Sequence, residues 1–209
     1  MHSLTAEPEN NPAVWQAIGD ICYRTASHRP PPNAEDWEFF SRVWINPYKK
    51  LLPQWTYVAL ADQRVVGYLT GCPNSPAFAR AKFFSCTLPL LAGIAFGRFR
   101  ALDGARRFAL RELGIEKKPE NIFSASIKRS IKKHYPAHLH MNVDADYQRA
   151  GVGRALFERY GEDIRHAGIQ GIHVFCAAAP LPFYLRLGFT EIAAAMFKRR
   201  AVHALGFRI

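Results

Sequence analysis

The segment from His138 to Leu187 constrains the fold more than any other, because its hydrophobic pattern alternates between strand and helix. Strands are predicted over His138–Val143 and Ile172–Cys176, with a helix over Val152–Ala167 between them. Two strands joined by such a helix form a right-handed βαβ unit with parallel strands. A short helix is predicted over Leu181–Leu187. The chain is therefore expected to have an α/β fold that contains a parallel strand pair.

The N-terminal third of the chain predicts two helices and a hairpin. Asn11-Pro12 is typical of a helix start, and Asn33 is the predicted N-cap of a second helix that stops at Asn46-Pro47. Two apolar runs, Thr56–Ala61 and Arg64–Gly71, predict a β-hairpin. The first ten residues alternate little, so the first strand is expected to be short or missing.

The junction between the first strand of the βαβ unit and its helix contains two glycines. Gly151 and Gly153 let the backbone approach a ligand, and a first helical turn leaves N–H groups without partners at the positive end of the helix dipole. A diphosphate suits such a turn, and Arg149 and Arg154 add positive charge. The spacing is neither the dinucleotide fingerprint nor the P-loop. Tight packing of the helix on the sheet also explains a Gly-x-Gly pair.

Two motifs in this region carry a resemblance to the GNAT acetyltransferase superfamily. The run Gln148–Gly153 (QRAGVG) is similar to the family's Gln/Arg-x-x-Gly-x-Gly/Ala element, on the strand and helix where the family has it. Pro182–Phe189 (PFYLRLGF) resembles the second family signature, an aromatic-Tyr pair followed by Gly-Phe. The run Tyr135–His140 also resembles the acetyltransferase-like domain attached to some O-GlcNAc hydrolases.

The resemblance implies the GNAT acyltransferase fold, which is an α/β fold with a central mixed sheet and helices on both faces. Residues 1–209 would then form a single domain, with a basic insertion at about 72–135 between strands 3 and 4. Removal of the 65 residues from Gly71 to Tyr135 leaves 144, which is close to one domain of this type.

The resemblance also implies acetyl-CoA as co-substrate, held where the two parallel strands move apart. The backbone near Asn142 and Val143 would pair with the pantetheine, and Phe175 and Cys176 would form the opposite wall. The diphosphate would be held by the N–H groups of seven consecutive residues. These are Gln148, Arg149, Ala150, Gly151, Val152, Gly153 and Arg154.

For catalysis, the resemblance places Tyr184 beside the thioester sulfur as general acid. A phenol of pKa ~10 and a thiol of pKa ~8.5 share a proton almost evenly, which suits that role. The general base is less clear, because His138 and His140, on one face of their strand, can each relay a proton through water. Asp144 and Asp146 at the strand end are further candidates. We predict Tyr184 and His140 as the catalytic residues.

A zinc site is an alternative use of the histidines, since His138 and His140 beside His173 provide three imidazoles. All three would have to share one face, and no acidic or thiolate ligand has matching spacing, so no metal is expected. The family often has an Asn seven residues before the tyrosine, where this chain has Ala177. That departure favours cofactor binding without turnover.

Positive charge is concentrated in the insertion. The range Arg80–Tyr135 contains 13 basic and four acidic residues, which is +9 of the net +11 of the chain. Such a segment attracts nucleic acid, a membrane surface or a polyphosphate cofactor, or it is only a solvated face. Its aromatic residues are expected to belong to the core, which disfavours nucleic-acid binding. These residues are Phe83, Phe84, Phe96 and Phe99.

The longest apolar stretch of the insertion, Phe83–Gly97, has 15 residues without a charged side chain. A bilayer needs roughly 20, and Pro89 and Gly93 interrupt the stretch, so no membrane span is expected. We interpret the stretch as a lid over the cleft, with a membrane-surface or partner-binding element as the alternative.

The cellular setting is predicted from the cysteines and the N-terminus. Four widely spaced cysteines, without a recognisable secretion signal, fit a reducing, cytoplasmic location. A homodimer is compatible with the sequence, which contains no motif that settles the oligomeric state.

The leading functional hypothesis is an acetyl-CoA-dependent N-acetyltransferase in which a primary amine attacks the bound thioester directly in a ternary complex. The acceptor amine is left open, because the N-terminal helices and the insertion that would select it contain no recognisable motif. The alternatives are a catalytically idle CoA-binding module and an acetyltransferase associated with nucleic acid.

Overall fold

A seven-stranded sheet forms the centre of the protein in a computed structural model, which describes residues 3–6, 11–27, 33–117 and 119–209. The strands are β1 (Ser3–Ala6), β2 (Thr56–Ala61), β3 (Arg64–Cys72), β4 (Ala137–Val143), β5 (Gly171–Ala177), β6 (Thr190–Phe197) and β7 (Arg200–Arg208). Their order is β1-β2-β3-β4-β5-β7-β6, and β4 and β5 are parallel while the other neighbours are antiparallel. The predicted mixed sheet is confirmed.

Nine α-helices connect and cover the strands within the described residues. They are α1 (Pro12–Ser27), α2 (Ala34–Trp44), α3 (Asn46–Leu51), α4 (Ser75–Lys82), α5 (Leu88–Ala95), α6 (Asp103–Glu112), α7 (Ala125–His134), α8 (Val152–His166) and α9 (Leu181–Arg186). Asn33 caps α2 as predicted, and β1 is short. The helix predicted to stop at Asn46-Pro47 ends at Trp44 instead, and the proline lies in the first turn of α3, where its missing N–H costs nothing.

One face of the sheet is covered by α8. Its side chains Leu156, Tyr160 and Ile164 are fully buried against alternate residues of the strands. The Tyr160 hydroxyl accepts from the Cys72 amide (3.3 Å) and donates to the His138 carbonyl (2.9 Å). This helix therefore both buries the apolar face of β4 and ties β3 to β4 at the start of the latter.

The opposite face of the sheet is covered by the N-terminal helices and the insertion. Trp15, Ile18 and Ile21 of α1 pack on Val58 and Tyr68, the strand residues that point away from α8. Further along the same face, α7 and the turn before it lie over β5 and β7. Helices thus lie on both faces, as predicted.

The parallel strands β4 and β5 are paired only at their first residues. Ala137 pairs with Ile172 and His138 with His173, whereas both strands continue for several residues beyond these pairs. The remaining parts of the two strands move apart, and this opening is the cleft between their carboxyl ends. The turn that follows β4 lies at its mouth.

The insertion contains a helix longer than the sequence predicted. Helices α4 and α5 are continuous through a π-helical turn, so the run Ser75–Ala95, the insert helix, has 21 residues. The helix extends beyond the 15-residue apolar stretch and continues through Pro89 and Gly93, and the expectation that the chain has no membrane span stays a prediction. Pro89 follows a wide π turn at the start of α5, where a proline is tolerated. By length and composition alone, the insert helix could cross a membrane.

The expectation that the insertion's phenylalanines are core residues was also wrong for three of the four. Phe83, Phe84 and Phe96 are exposed, and only Phe99 is buried, against Phe39. The uncharged sequence around them is explained by an exposed apolar face rather than by burial.

The insert helix packs beside the beginning of β4. The Phe78 ring lies 4.9 Å from that of Tyr48 and 5.7 Å from that of His138, and Lys50 donates to the Ser85 carbonyl. This is the end of β4 remote from the glycine turn. The interpretation as a lid over the cleft stays a prediction.

Candidate active site

The turn between β4 and α8 has two residues in the left-handed backbone region. Gly151 has φ +82° and is the N-cap residue of α8, and Arg149 has φ +65°. A Cβ built at Gly151 would meet no atom within 4 Å. The left-handed backbone conformation, and not a lack of space for a side chain, therefore favours glycine at this position.

The backbone N–H groups of this turn are directed to no acceptor of the protein itself. Within the described residues, none of the six from Arg149 to Arg154 has a hydrogen-bond acceptor, whereas the Ala155 N–H bonds the Gly151 carbonyl. Residues 149–151 are exposed. Several free donors at the start of a fifteen-residue helix form a site suited to an anion such as a diphosphate.

The structure leaves six of the seven N–H groups that were predicted to hold a diphosphate, because that of Gln148 is occupied. The Gln148 N–H bonds the Ala145 carbonyl (3.3 Å), and the Gln148 side-chain amide donates to the Val143 carbonyl (3.2 Å). Gln148 therefore shapes the turn, and its N–H is not available to a ligand.

Gly151 and Gly153 are glycines for different structural reasons. A Cβ at Gly153 would lie 3.0 Å from the Phe183 ring and 3.7 Å from a methyl of Val143. Helix packing, the alternative explanation of the Gly-x-Gly pair, thus accounts for Gly153 and not for Gly151. The contact also joins the start of α8 to α9, which contains Tyr184.

The two arginines of the turn, Arg149 and Arg154, differ in whether the protein itself engages their side chains. The Arg154 guanidinium donates to the Arg186 carbonyl (3.3 Å) and lies 3.6 Å from the Glu158 carboxylate, so its side chain serves the α8–α9 contact. Arg149 is exposed in the turn itself. Arg149 is therefore the better placed of the two to add charge to a bound anion.

The hydrogen-bond register of β4 decides which main-chain groups face the cleft. The Asp144 N–H bonds the Val66 carbonyl of β3 (2.8 Å), and antiparallel pairs alternate along the strands. The main chain of Asn142 is therefore directed to β3, and that of Met141 and Val143 to β5. This corrects the predicted pair, because the groups available to a pantetheine belong to Met141 and Val143.

Phe175 and Cys176, the predicted opposite wall, lie on opposite faces of β5. Cys176 is buried with Tyr184 in the core on the α8 side. Phe175 is partly exposed and stacks on Phe123, which precedes α7, at 5.7 Å between ring centroids. The strand β5 thus contacts the core through Cys176 on one face and the insertion through Phe175 on the other.

Tyr184 of α9 is buried in the same core cluster as Cys176 of β5. Its ring packs edge-on against Phe189 at 5.3 Å. Burial and the nearby Cys176 raise the pKa of the phenol above its usual value. Within the described residues its hydroxyl makes no hydrogen bond. The phenol therefore stays protonated at neutral pH with no partner of its own.

His140 belongs to a hydrogen-bonded series that the sequence did not reveal. The Asn142 side-chain amide donates to the Tyr68 hydroxyl (2.7 Å), which lies 3.2 Å from Nδ1 of His140. A hydroxyl that accepts from Asn142 can donate its own proton to Nδ1, and His140 then has its proton on Nε2. The exposed Trp44 ring stacks on the imidazole at 6.4 Å.

His138 has a partner for each ring nitrogen. The Tyr48 hydroxyl lies 2.9 Å from Nε2, and Ser75 Oγ lies 2.6 Å from Nδ1 and 2.7 Å from the Pro136 carbonyl. Since Ser75 donates to that carbonyl, it accepts from Nδ1, and Tyr48 donates to Nε2. A neutral imidazole satisfies every bond.

Burial keeps both strand histidines neutral. It lowers the pKa of His138 to about 3 and that of His140 to about 4, with the nearby Lys82 acting in the same direction on each. His173 is held by the Tyr135 carbonyl at Nδ1 (2.6 Å), and burial lowers its pKa too. No group of three or more metal-ligating side chains occurs in the described part of the chain.

The Asp144 carboxylate, which lies near the turn, has structural partners. Asp144 forms an ion pair with Arg24 of α1 (2.8 Å) and caps the short turn before Gln148 through the Asp146 N–H. Ala177, where the family often has an Asn, is exposed at the end of β5. The carboxylate of Asp144 is therefore engaged in structural contacts and is not placed as an obvious base.

The chain was compared with known proteins once this geometry was established. A profile described as the acetyltransferase (GNAT) domain matches residues 116–191, which include both sequence motifs. The crystal structure of SsHAT is 29% identical in sequence, with a TM-score of 0.72, over 99% of this chain and 98% of that one.

Residues 116–191 therefore match the acetyltransferase (GNAT) domain, and the chain is similar to one solved structure over nearly its whole length. Two more distant structures share the fold of this domain. Ribosomal-protein-alanine N-acetyltransferase from Brucella melitensis is 14% identical (TM-score 0.55, 99% of both chains), and an aminoglycoside 6′-N-acetyltransferase complexed with coenzyme A is 10% identical (TM-score 0.57, 99% of this chain and 96% of that one). A search of curated protein sequences found no match. The likeness to the O-GlcNAc hydrolase subset stays a prediction.

Proposed function

We propose that this GNAT domain transfers the acetyl group of acetyl-CoA to a primary amine, which attacks the thioester directly while both substrates are bound. One observation carries the proposal. The unpartnered N–H groups of Arg149–Arg154 lie at the mouth of the cleft between β4 and β5. Donors at a helix start favour a diphosphate, and unpaired strand edges favour an extended chain with amides, so the two features together match coenzyme A.

Three regions of the chain would bind three parts of the cofactor, which are the diphosphate, the pantetheine and the acetyl group. The N–H groups after Gln148 would hold the diphosphate, and the main chain of Met141 and Val143 would pair with the pantetheine. The Val143 carbonyl already accepts from the Gln148 side chain, so pairing there relies on its N–H and on Met141. The acetyl group would then lie deeper in the cleft, toward the first residues of β4.

Tyr184 would supply the proton that the leaving thiolate needs. The amine nitrogen attacks the carbonyl carbon, the carbon–sulfur bond breaks, and the sulfur takes the phenol proton. The proton lost by the amine returns to Tyr184 through solvent. Because the raised pKa keeps the phenol protonated, the donor is present at every pH where the amine is reactive.

The acceptor would reach the site as a neutral amine. A histidine of pKa about 4 is a weak base, and the inferred proton on Nε2 makes His140 a hydrogen-bond donor toward the cleft. Trp44 and Tyr68 beside it are largely apolar, and such surroundings lower the pKa of an amine. We therefore assign His140 a positioning part for the acceptor, and deprotonation to solvent.

The acceptor class differs among proteins of this fold. The two distant structures are named for a ribosomal-protein alanine and an aminoglycoside, so similarity to them indicates amine acetylation and not one substrate. All four cysteines are free, which agrees with a location in the cytosol.

A catalytically idle CoA-binding module is the second candidate, favoured by Ala177 at the end of β5. The two are separated by measuring binding and turnover on the same protein. Calorimetric titration with coenzyme A should show binding for either candidate. Thiol release from acetyl-CoA, followed across a panel of primary amines, should appear only for the enzyme.

Tyr184→Phe is the decisive variant in that assay. It should bind coenzyme A as the wild type does and lose up to roughly 10²-fold in kcat. Tyr57→Phe is the matched control, since Tyr57 lies on β2, away from the cleft between β4 and β5, and its hydroxyl donates to Asp163 of α8. Binding without thiol release for any amine would select the idle module, and absence of binding would reject both candidates.

A further inference from the structure

The insertion exposes most of the large apolar side chains on the described surface. Ten large hydrophobic residues are exposed there, and six of them lie between positions 83 and 115. The six are Phe83, Phe84, Leu88, Phe96, Leu113 and Ile115. So strong a concentration in one segment marks a binding surface rather than scattered surface residues.

Exposed apolar residues form a stripe along the insert helix. Phe84, Leu88, Ala92 and Phe96 follow one another at four-residue intervals, and all are exposed, Phe84 by 63% and Phe96 by 92%. The other side of the helix is held by the protein, through residues such as Leu90 in the cluster around Phe39. The helix thus has two apolar sides, one of which packs on the protein while the other faces outward.

Exposed arginines flank this stripe at both ends. Arg80 precedes it and Arg100 follows it, while the nearby Arg98 is paired with Glu38 of α2 (2.6 Å). The next helix, α6, packs beside α5 and exposes Arg106 and Arg107. An apolar strip bordered by arginines is complementary to a surface that is apolar inside and negatively charged at its boundary.

Both ends of the insert helix are anchored in the same body. Asn74 caps the helix directly after β3, and Phe99 packs on Phe39 just beyond its end. Crossing a bilayer would require Phe78 and Leu90 to leave their packed positions. Only 17% of its most apolar window is buried, however, so the outward side is free to contact lipid without unfolding.

We propose that the insert helix binds the surface of an anionic lipid bilayer, with Phe84, Leu88 and Phe96 in the acyl boundary and the flanking arginines at the headgroups. Phe83, whose ring packs edge-on against that of Phe84, lies at the margin of this lipid-facing surface. Binding of this kind needs both the apolar and the electrostatic contribution. It is independent of the acetyl-transfer proposal and would bring the cleft close to the membrane.

Nucleic acid is a weaker match for the same surface. Bases stack on aromatic rings, and the stripe alternates phenylalanines with aliphatic Leu88 and Ala92, which have no π face. A self-association surface would not explain arginines at both ends, since two copies would bring like charges together.

Vesicle co-sedimentation tests the proposal on the intact protein. Wild type should bind vesicles of phosphatidylcholine mixed with phosphatidylglycerol, and bind vesicles of phosphatidylcholine alone about tenfold less or worse. Phe84→Ser combined with Phe96→Ser should reduce binding at least about tenfold. Arg100→Gln combined with Arg106→Gln and Arg107→Gln should reduce it and flatten its dependence on salt.

Met196→Ser is the control for loss of an exposed apolar side chain, since Met196 is 65% exposed on β6, outside the insertion. It should bind vesicles as the wild type does. Circular dichroism of each variant shows that it is folded. Equal binding by the Phe84/Phe96 variant would overturn the proposal, as would a wild type that ignores anionic vesicles. A dimer dissociated by the serine substitutions, without vesicle binding, would assign the surface to self-association instead.

Discussion

Asn142 and Tyr68 are joined across the β3–β4 pair by a 2.7 Å hydrogen bond from the side-chain amide to the hydroxyl. The hydroxyl that accepts this bond can donate its own proton to Nδ1 of His140, 3.2 Å away, which would leave the His140 proton on Nε2. We infer from this arrangement that Asn142 and Tyr68 favour one tautomer of His140. Neither GNAT motif, Gln148–Gly153 or Pro182–Phe189, contains any of these three residues.

Tyr68→Phe should unfold more easily than the wild type by about 1–3 kcal/mol, because a buried donor and a buried acceptor lose their partner. Chemical denaturation measures the change. The imidazole ¹⁵N spectrum gives a second readout, in which wild-type His140 should be protonated on Nε2 and the variant should show a mixed tautomer. A wild-type His140 protonated on Nδ1 would contradict the inferred direction of the Tyr68 bond.

Folding stability should fall as the pH is lowered from about 6.5. The folded pKa values of His138 and His140, about 3 and about 4, lie below the value of 6.5 for an unfolded histidine. The unfolded chain thus binds protons first, and stability present above pH 6.5 is lost as the pH falls toward 4. Each histidine contributes a slope of roughly 1.4 kcal/mol per pH unit.

Denaturation midpoints measured across this range test that slope. His140→Gln should remove about one proton's share of it. Identical slopes for wild type and His140→Gln would mean that the strand histidine is already solvated in the folded state.

The sequence predicted the parts of the fold that depend on neighbouring residues. The spacing of Val152, Leu156 and Tyr160 specifies a helix with one buried face, and Asn33 and the hairpin runs act within a few residues of chain. The network of Tyr68, Asn142 and His140 joins residues 72 to 74 positions apart and depends on the register of two strands. Period-two alternation on β3 placed Tyr68 on one face and gave no sign of its partners.

The turn between β4 and α8 also contains features that the sequence predicts and features that only the structure shows. Gly151 and Gly153 look alike in the sequence, and only the structure separates the strained, open position from the one packed on Phe183. The family resemblance implied Asn142 at the cleft, because a motif locates the strand but does not fix which of its main-chain groups bond to the neighbouring strand. The insertion was misjudged because an apolar run was assumed to be buried.

Gly151→Ala should weaken coenzyme A binding by at least about tenfold. Alanine at φ +82° costs roughly 1–2 kcal/mol, and relief of that strain moves the N–H groups that would face the diphosphate. Gly161→Ala is the control, because a Cβ there also meets nothing within 4 Å but lies inside α8. It should stabilise the protein by up to about 1 kcal/mol and leave binding unchanged. Equal calorimetric affinities for Gly151→Ala and wild type would remove the turn from the cofactor site.

Gly71→Ala should destabilise the protein by about 1–3 kcal/mol through contact with Tyr160. A Cβ at Gly71 would overlap the Tyr160 ring, whose hydroxyl bonds the main chain of Cys72 and His138, so the ring cannot move without breaking those bonds. Tyr160→Val alone should cost several kcal/mol, since it leaves a cavity and unpaired main-chain groups. The double variant should cost less than the two single changes added together, because the valine makes room for the alanine. Strictly additive values in urea denaturation would show that the alanine is accommodated by movement of β3 and not limited by the ring.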